Sequence, residues 1–306
     1  MQRYINKNTS SRGVTLVELL VAVTISAIVI TMAINIYLSS KKIYKESKQK
    51  TSLDIRQLTA KKIFYDAVTN AGLSCKYGTK NQKYVNRTGE NSINFDFMYD
   101  SSPVRVGDIS SIGSFLENSL KGKKGSLYQP GTNYIMIKSE DTFTSLTTKP
   151  VNLNLYLNSI EQLEKNDYLA LCNNDDINLV RITDVDKKHN KVGLVIAPSS
   201  EYHKGDYVGK YSIQIFYIAA DNVSNNSGKL SYSLYLYTKD GSNPGVSYPV
   251  VDGVSDLKIS YSILNRQHLN WRDITRNVDL DNIKAKALKI SFKIKDKSFE
   301  KVILLS

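Results

Sequence analysis

Polar and apolar positions divide the chain into three textures. Residues 1–13 (MQRYINKNTSSRG) are polar and carry Arg3, Lys7 and Arg12. An apolar run follows from Val14 to Leu38, about 25 residues, enough at about 1.5 Å per residue to cross a hydrocarbon core of roughly 30 Å. From Ser39 to Ala71 the chain is rich in helix formers and contains no Pro or Gly. Leu53, Ala60, Phe64, Ala67 and Ala71 draw one apolar stripe along it, and Gly72 can stop the helix in left-handed backbone. An unbroken helix from Val14 to Ala71 would hold about 58 residues and extend about 87 Å. That length suits a helix with one half in a membrane or filament and the other half docked on a sheet.

After Gly72 the pattern switches to short alternating segments separated by polar loops. Ile93, Phe95, Phe97 and Tyr99 alternate, as do Val151, Leu153, Leu155 and Leu157. Further strands are predicted at Tyr134–Lys138, Asp167–Cys172, Ile177–Thr183, Val192–Ala197, Tyr211–Ala219, Leu230–Thr238, Leu257–Leu264 and Ile283–Lys295, with turns at Asn173–Asp176, Asn222–Gly228 and Asp240–Gly245. One long helix followed by roughly ten strands predicts an α+β fold, the helix covering one face of a mainly antiparallel sheet. The expected organisation is a leader (1–13), a transmembrane or filament-core helix (14–38), its continuation (39–72) and an exported β-rich domain (73–306). Twenty tyrosines against eight phenylalanines and one tryptophan fit sheets with one wet face.

Charge and candidate chemistry change this picture little. The net charge of +12 is spread over Lys41, Lys42, Lys45, Lys48 and Lys50 after the apolar run, Lys121, Lys123 and Lys124 in a glycine loop, and Lys284, Lys286, Lys289, Lys293, Lys295 and Lys297 near the C-terminus. Solvated faces account for such a spread more simply than a nucleic-acid groove. A DNA-binding subunit stays a third reading, with affinity expected to fall steeply with salt. The histidines His189, His203 and His268 lack spaced carboxylate or cysteine partners, and none of the common hydrolase, zinc or phosphate-loop motifs occurs. Gly122-Lys123-Lys124-Gly125 lacks phosphate-loop spacing, and the acidic turn Asn173-Asn174-Asp175-Asp176 lacks the spaced ligands of a calcium loop. No enzyme activity, cofactor or metal is expected. Cys75 and Cys172 are the two cysteines, in neither a C-x-x-C pair nor a zinc pattern.

The N-terminal run holds one anomaly. Basic residues precede it, so the leader should stay cytoplasmic and everything after Ser39 should be exported. A secretory signal would have a shorter apolar region with a small-residue cleavage site behind it; here Gly13 lies in front. Glu18 is the only charge between Val14 and Leu38, and a carboxylate inside a spanning helix costs on the order of 2–3 kcal/mol, less near the interface. Cleavage after Gly13 would free an α-amino group at Val14. Pairing that amine with Glu18 of a neighbouring helix would offset the burial of both charges and set the axial register between subunits.

Ser11-Arg12-Gly13 followed by Val14-Thr15-Leu16-Val17-Glu18 and an apolar stretch resembles the processing and assembly motif of type IV pilins and pseudopilins. The resemblance implies that a prepilin peptidase cuts after Gly13 and N-methylates Val14, and that Glu18 is the assembly glutamate. Many members begin with Phe after the cut, where this chain has Val14. Major pilins often carry a kinking Pro where Asn35 stands here. Three later stretches resemble PilW-like minor pilins: Phe64–Gly72 with Cys75 just after it, Asn166–Cys172 leading into Ile177–Thr183, and Val250–Tyr261.

This resemblance implies a minor pilin that takes part in initiating pilus assembly and sits at the filament tip. Its implied partners are other minor pilins, the major pilin, the inner-membrane assembly platform and a tip adhesin, with roles in adhesion, twitching motility or DNA uptake. The implied location is the bacterial inner membrane, single-pass, with the C-terminal domain in the periplasm, and the filament after assembly. The alternative is the large J-type pseudopilin of a type II secretion system, which shares leader, helix and size. In an oxidising periplasm Cys75 and Cys172 should pair, closing a loop worth about 4.5 kcal/mol by loop entropy; two buried free thiols are the alternative.

Overall fold

The computed structural model of the chain describes residues 15–72, 83–90, 102–112, 128–221, 230–243, 245–265 and 268–305. The chain divides into two units, Met1–Ile55 and Arg56–Ser306. Helix α1 (Leu16–Thr69) has 54 residues and runs without a break through Asn35. Its last turn closes with the Asn70 N–H donating to the Asp66 carbonyl at 3.0 Å. Gly72 then adopts a positive φ of 109° and donates its N–H to the Lys138 carbonyl at 2.9 Å, so the expected glycine stop is where the chain turns onto the sheet. The buried positions of α1 are Leu53, Ala60, Phe64 and Val68. Val68, four residues beyond Phe64, takes the place on the stripe that the pattern gave to Ala67 and Ala71, both only half-buried.

Fifteen strands follow among the described residues: β1 (Lys83–Arg87), β2 (Val104–Asp108), β3 (Asn133–Ser145), β4 (Asn154–Tyr156), β5 (Tyr168–Cys172), β6 (Asp176–Asp186), β7 (Lys191–Leu194), β8 (Tyr207–Ala220), β9 (Tyr232–Lys239), β10 (Val246–Asp252), β11 (Val254–Asn265), β12 (His268–Asp273), β13 (Val278–Asp279), β14 (Ala287–Ile294) and β15 (Lys297–Leu304). The larger sheet has eleven strands in the path β13-β2-β3-β8-β5-β6-β7-β4, with β9 and β10 branching from β8 and β1 from β6. The smaller sheet has the order β12-β11-β14-β15. Every pairing is antiparallel except β1 with β6. The class is therefore α+β with a mainly antiparallel sheet, as the alternation predicted.

Strand β8 organises the larger sheet. Along its length it pairs with β3; its first residues pair with β5 on the other side and its last with β9. One face carries Phe216, and here the helix docks: the Phe64 ring lies 6.0 Å from Phe216 and 6.0 Å from Phe292 on β14 of the smaller sheet. Helix and both sheets thus share one apolar layer at Phe64. The opposite face carries a second core rich in tyrosine, including Tyr134, Tyr168, Tyr211, Tyr217 and Tyr237, with Cys172 among them. A third core joins β4 and β7 through Leu155, Leu157, Val192 and Leu194 to Leu169 and Leu171 of β5.

Three strands predicted from alternation are shorter than expected. Val151–Leu157 reduces to Asn154–Tyr156 because Asn152 takes a φ of 56° and Val151 and Asn154 exchange backbone hydrogen bonds of 3.0 and 2.9 Å across a tight turn. Ile283–Lys295 begins only at Ala287, after a turn in which Lys284 has a φ of 52°. Val192–Ala197 ends at Leu194. The Asn173–Asp176 turn is closed by the Asn173 side chain, which accepts from the backbone N–H groups of Asp175 and Asp176 at 2.9 and 2.8 Å. The alternation at Ile93–Tyr99 and the Asn222–Gly228 turn lie outside the described residues.

Candidate functional site

The candidate site is the first part of α1. Every residue from Thr15 to Lys50 is exposed, and the most apolar window of the helix has a mean hydropathy of 2.5. A helix apolar on all sides is unstable in water and requires lipid or neighbouring helices around it. Among the described residues it is the one helix long and apolar enough to cross a membrane. Two of its polar side chains are satisfied within the helix: Thr24 and Thr31 donate their hydroxyls to the carbonyls of Leu20 and Ala27, each at 2.8 Å.

Glu18 has a local partner that the sequence reading overlooked. Its Oε2 accepts from the Thr15 backbone N–H at 2.9 Å and from the Thr15 hydroxyl at 3.0 Å, while the Thr15 Oγ1 accepts from the Glu18 N–H at 3.3 Å. This is a capping box, in which the first helical turn satisfies its own backbone donors. The T-x-x-E spacing of Thr15 and Glu18 was the available signal. Both bonds fall on Oε2, and a carboxylate offers about four acceptor sites, so capping its own helix leaves Glu18 chemically able to take an ammonium from outside. Gly13 and Val14 lie outside the described residues.

Cys172 is fully buried at the end of β5, and the described residues contain no free cysteine. Cys75 lies outside them. The stretch Asn166–Cys172 that carried part of the resemblance is a turn into a central strand. Asn166 has a φ of 76°, and Asp167 accepts the Glu164 N–H at 2.9 Å and pairs with Lys210 at 3.1 Å. Burial pushes the Asp167 carboxyl up, against the pull of these partners. Beside it, Glu90 takes Arg181 at 3.0 Å and the Tyr168 hydroxyl at 2.6 Å, tying the loop after β1 to β5 and β6.

The stretch Val250–Tyr261 is a corner. Gly253, with a φ of 72°, is the single residue between β10 of the larger sheet and β11 of the smaller, and Arg56 of α1 donates to the Asp252 carbonyl at 3.5 Å beside it. These stretches therefore hold the domain together. His189 makes an exposed pair with Asp186 at 2.7 Å, and the His203 backbone N–H donates to Asp206 at 2.7 Å. Among the described residues no three His, Cys, Asp or Glu side chains gather as a cation site.

Residues 8–34 match the family described as the prokaryotic N-terminal methylation motif. The match covers Gly13, Val14, Thr15 and Glu18 and most of the apolar run. No curated protein and no solved structure matches the chain.

Proposed function

We propose that this type IV pilin- or pseudopilin-like chain is a minor pilin. On this reading it is a non-enzymatic subunit, held in the inner membrane by residues 14–38, that joins other minor pilins to begin filament assembly and ends at the tip. The observation that carries the reading is the methylation motif at residues 8–34 with Glu18 as the single charge of the apolar run. Cleavage after Gly13 and methylation of Val14 supply the amine. Glu18 of a neighbouring subunit supplies the carboxylate, and their contact sets the stagger of packed helices. The three later stretches that resemble PilW-like proteins support the pilus over a secretion apparatus. The Cys75–Cys172 disulfide belongs to the same proposal, fixing the segment after α1 to β5.

Mass spectrometry of the mature N-terminus tests the premise: a methylated Val14 is expected, and recovery of Met1 refutes it. Glu18→Ala should leave the chain inserted in the membrane yet reduce its recovery in sheared filaments by at least tenfold, the equivalent of losing about 1.4 kcal/mol of buried pairing. Unchanged recovery would refute the pairing. Deletion with intact surface filaments and failed protein secretion would assign the chain to a type II secretion pseudopilus instead.

A further inference from the structure

The helix face just beyond the apolar run has a composition of its own. Tyr37, Lys41, Tyr44 and Lys48 recur at i, i+4, i+7 and i+11, with Lys45 beside them, so at about 100° per residue all five lie within roughly 100° of one another. All five side chains are exposed. Glu46, the only acid between Ser39 and Lys50, lies 4.0 Å from Lys42 on a different face. Among the described residues no ion pair reaches Lys41, Lys45 or Lys48. Lys41 and Lys45 are four apart and Lys45 and Lys48 three apart, spacings at which like charges repel along a helix.

We propose that this face is a docking stripe for the headgroups of anionic phospholipids, resting on the reading of residues 14–38 as a membrane span. Three arguments converge on that partner. Position is the first: at about 1.5 Å per residue the lysine backbones stand roughly 5–15 Å beyond Leu38, and helical side chains lean toward the N-terminus, so the ammonium groups reach back into the headgroup layer. Aromatic content is the second, because tyrosine with its apolar body and polar tip concentrates at that same layer. Electrostatics is the third. Phosphate oxygens between the lysines remove a repulsion that water only screens. The lysines also oppose the orientation set by Arg3, Lys7 and Arg12, so a span inserted leader-first gains nothing from them as a topology signal.

The test uses the full chain in detergent micelles doped with equal phosphatidylglycerol and phosphatidylcholine, with the lipids retained on the protein read by native mass spectrometry. The wild type should keep phosphatidylglycerol preferentially. K41Q/K45Q/K48Q should lose that preference by on the order of 100-fold, at about fivefold per lysine, whereas K41R/K45R/K48R should keep it. Equal retention by wild type and the glutamine variant overturns the proposal, and so does displacement of the lipid by millimolar inorganic phosphate, which would make the ligand a free anion. Reconstitution of the same samples into vesicles separates the two claims. Failure of wild type to insert removes the span and the stripe with it, while insertion without headgroup preference removes the stripe alone.

Discussion

Phe64→Ala is the most direct probe of how the β-rich domain holds α1. The ring is fully buried and meets Phe216 edge-on at 64° and Phe292 at 49°, each with centroids 6.0 Å away. Truncating a buried phenylalanine costs about 3–5 kcal/mol, the sum of lost transfer and a cavity that neighbours fill only in part. Each ring pair adds about 0.5–1.5 kcal/mol beyond area alone, which places this site in the upper half of that range. For a domain of this size, about 4 kcal/mol lowers the unfolding midpoint by roughly 8–15 °C. The assay is thermal unfolding of the full chain in detergent, followed by near-ultraviolet circular dichroism from the aromatic cores. Tyr65→Ala is the control: Tyr65, next to Phe64 on the helix, is 46% exposed and its ring centroid lies 4.8 Å from the Lys301 ammonium, a contact worth about 0.5–1 kcal/mol. A fall after Phe64→Ala no larger than that after Tyr65→Ala would refute the account of the shared layer.

Two other outcomes follow from the sheets. Burial raises the phenols of Tyr202, Tyr207, Tyr217 and Tyr237 above their usual 10.0 and pushes Tyr134 up to about 12. A phenol with a raised folded pKa contributes stability that is present below pH 10.0 and lost as pH rises through the folded value, so unfolding should set in steeply above that pH; phenolate absorbance rising in one step with native circular dichroism retained would contradict it. Asp279→Ala removes both acceptors of the paired bonds from Arg105 (Nε to Oδ1 at 2.5 Å, Nη2 to Oδ2 at 3.2 Å) that join β13 to β2; a loss of about 1–3 kcal/mol is expected in denaturant unfolding, and no change in midpoint would show the edge to be held by its backbone alone.

What could be read from the sequence depended on how local each signal was. The apolar run, the absence of Pro and Gly, and Gly72 are local facts, and α1 ends within a few residues of where they placed it. Long central strands such as β8 were legible because Tyr211, Ile213, Ile215, Tyr217 and Ala219 alternate onto one apolar face, while the other carries Ser212 and Gln214 before Phe216 and Ile218. Strands β1, β2, β10, β12, β13 and β15 were missed. In β15 the inward Phe299, Lys301 and Ile303 alternate with Val302 and Leu304 outside, so its apolar residues mark no single face. Alternation misled at Val151 and Leu153, where Asn152 turns the chain and leaves both exposed at 49% and 44%. At the N-terminus the sequence marked Glu18 by its charge as the one acid of the apolar run. Its bond to Thr15 needed a different question, namely which backbone donors open the helix.

The corner at Gly253 carries a consequence for how this domain tolerates change in length. Register in β10 is held by β9 and register in β11 by β14, and only one residue separates the two strands. Each strand already carries one irregularity beside the corner, between Pro249 and Val251 in β10 and between Ser255 and Lys258 in β11, so an amino acid inserted or deleted beyond these has no further slack to dissolve into. It would invert the inward and outward sets in whichever strand slid, exchanging Val254 and Ile259 for their polar neighbours. Peripheral loops can lengthen freely with little thermodynamic penalty, whereas this junction behaves as a fixed ruler against which two layers are measured at once.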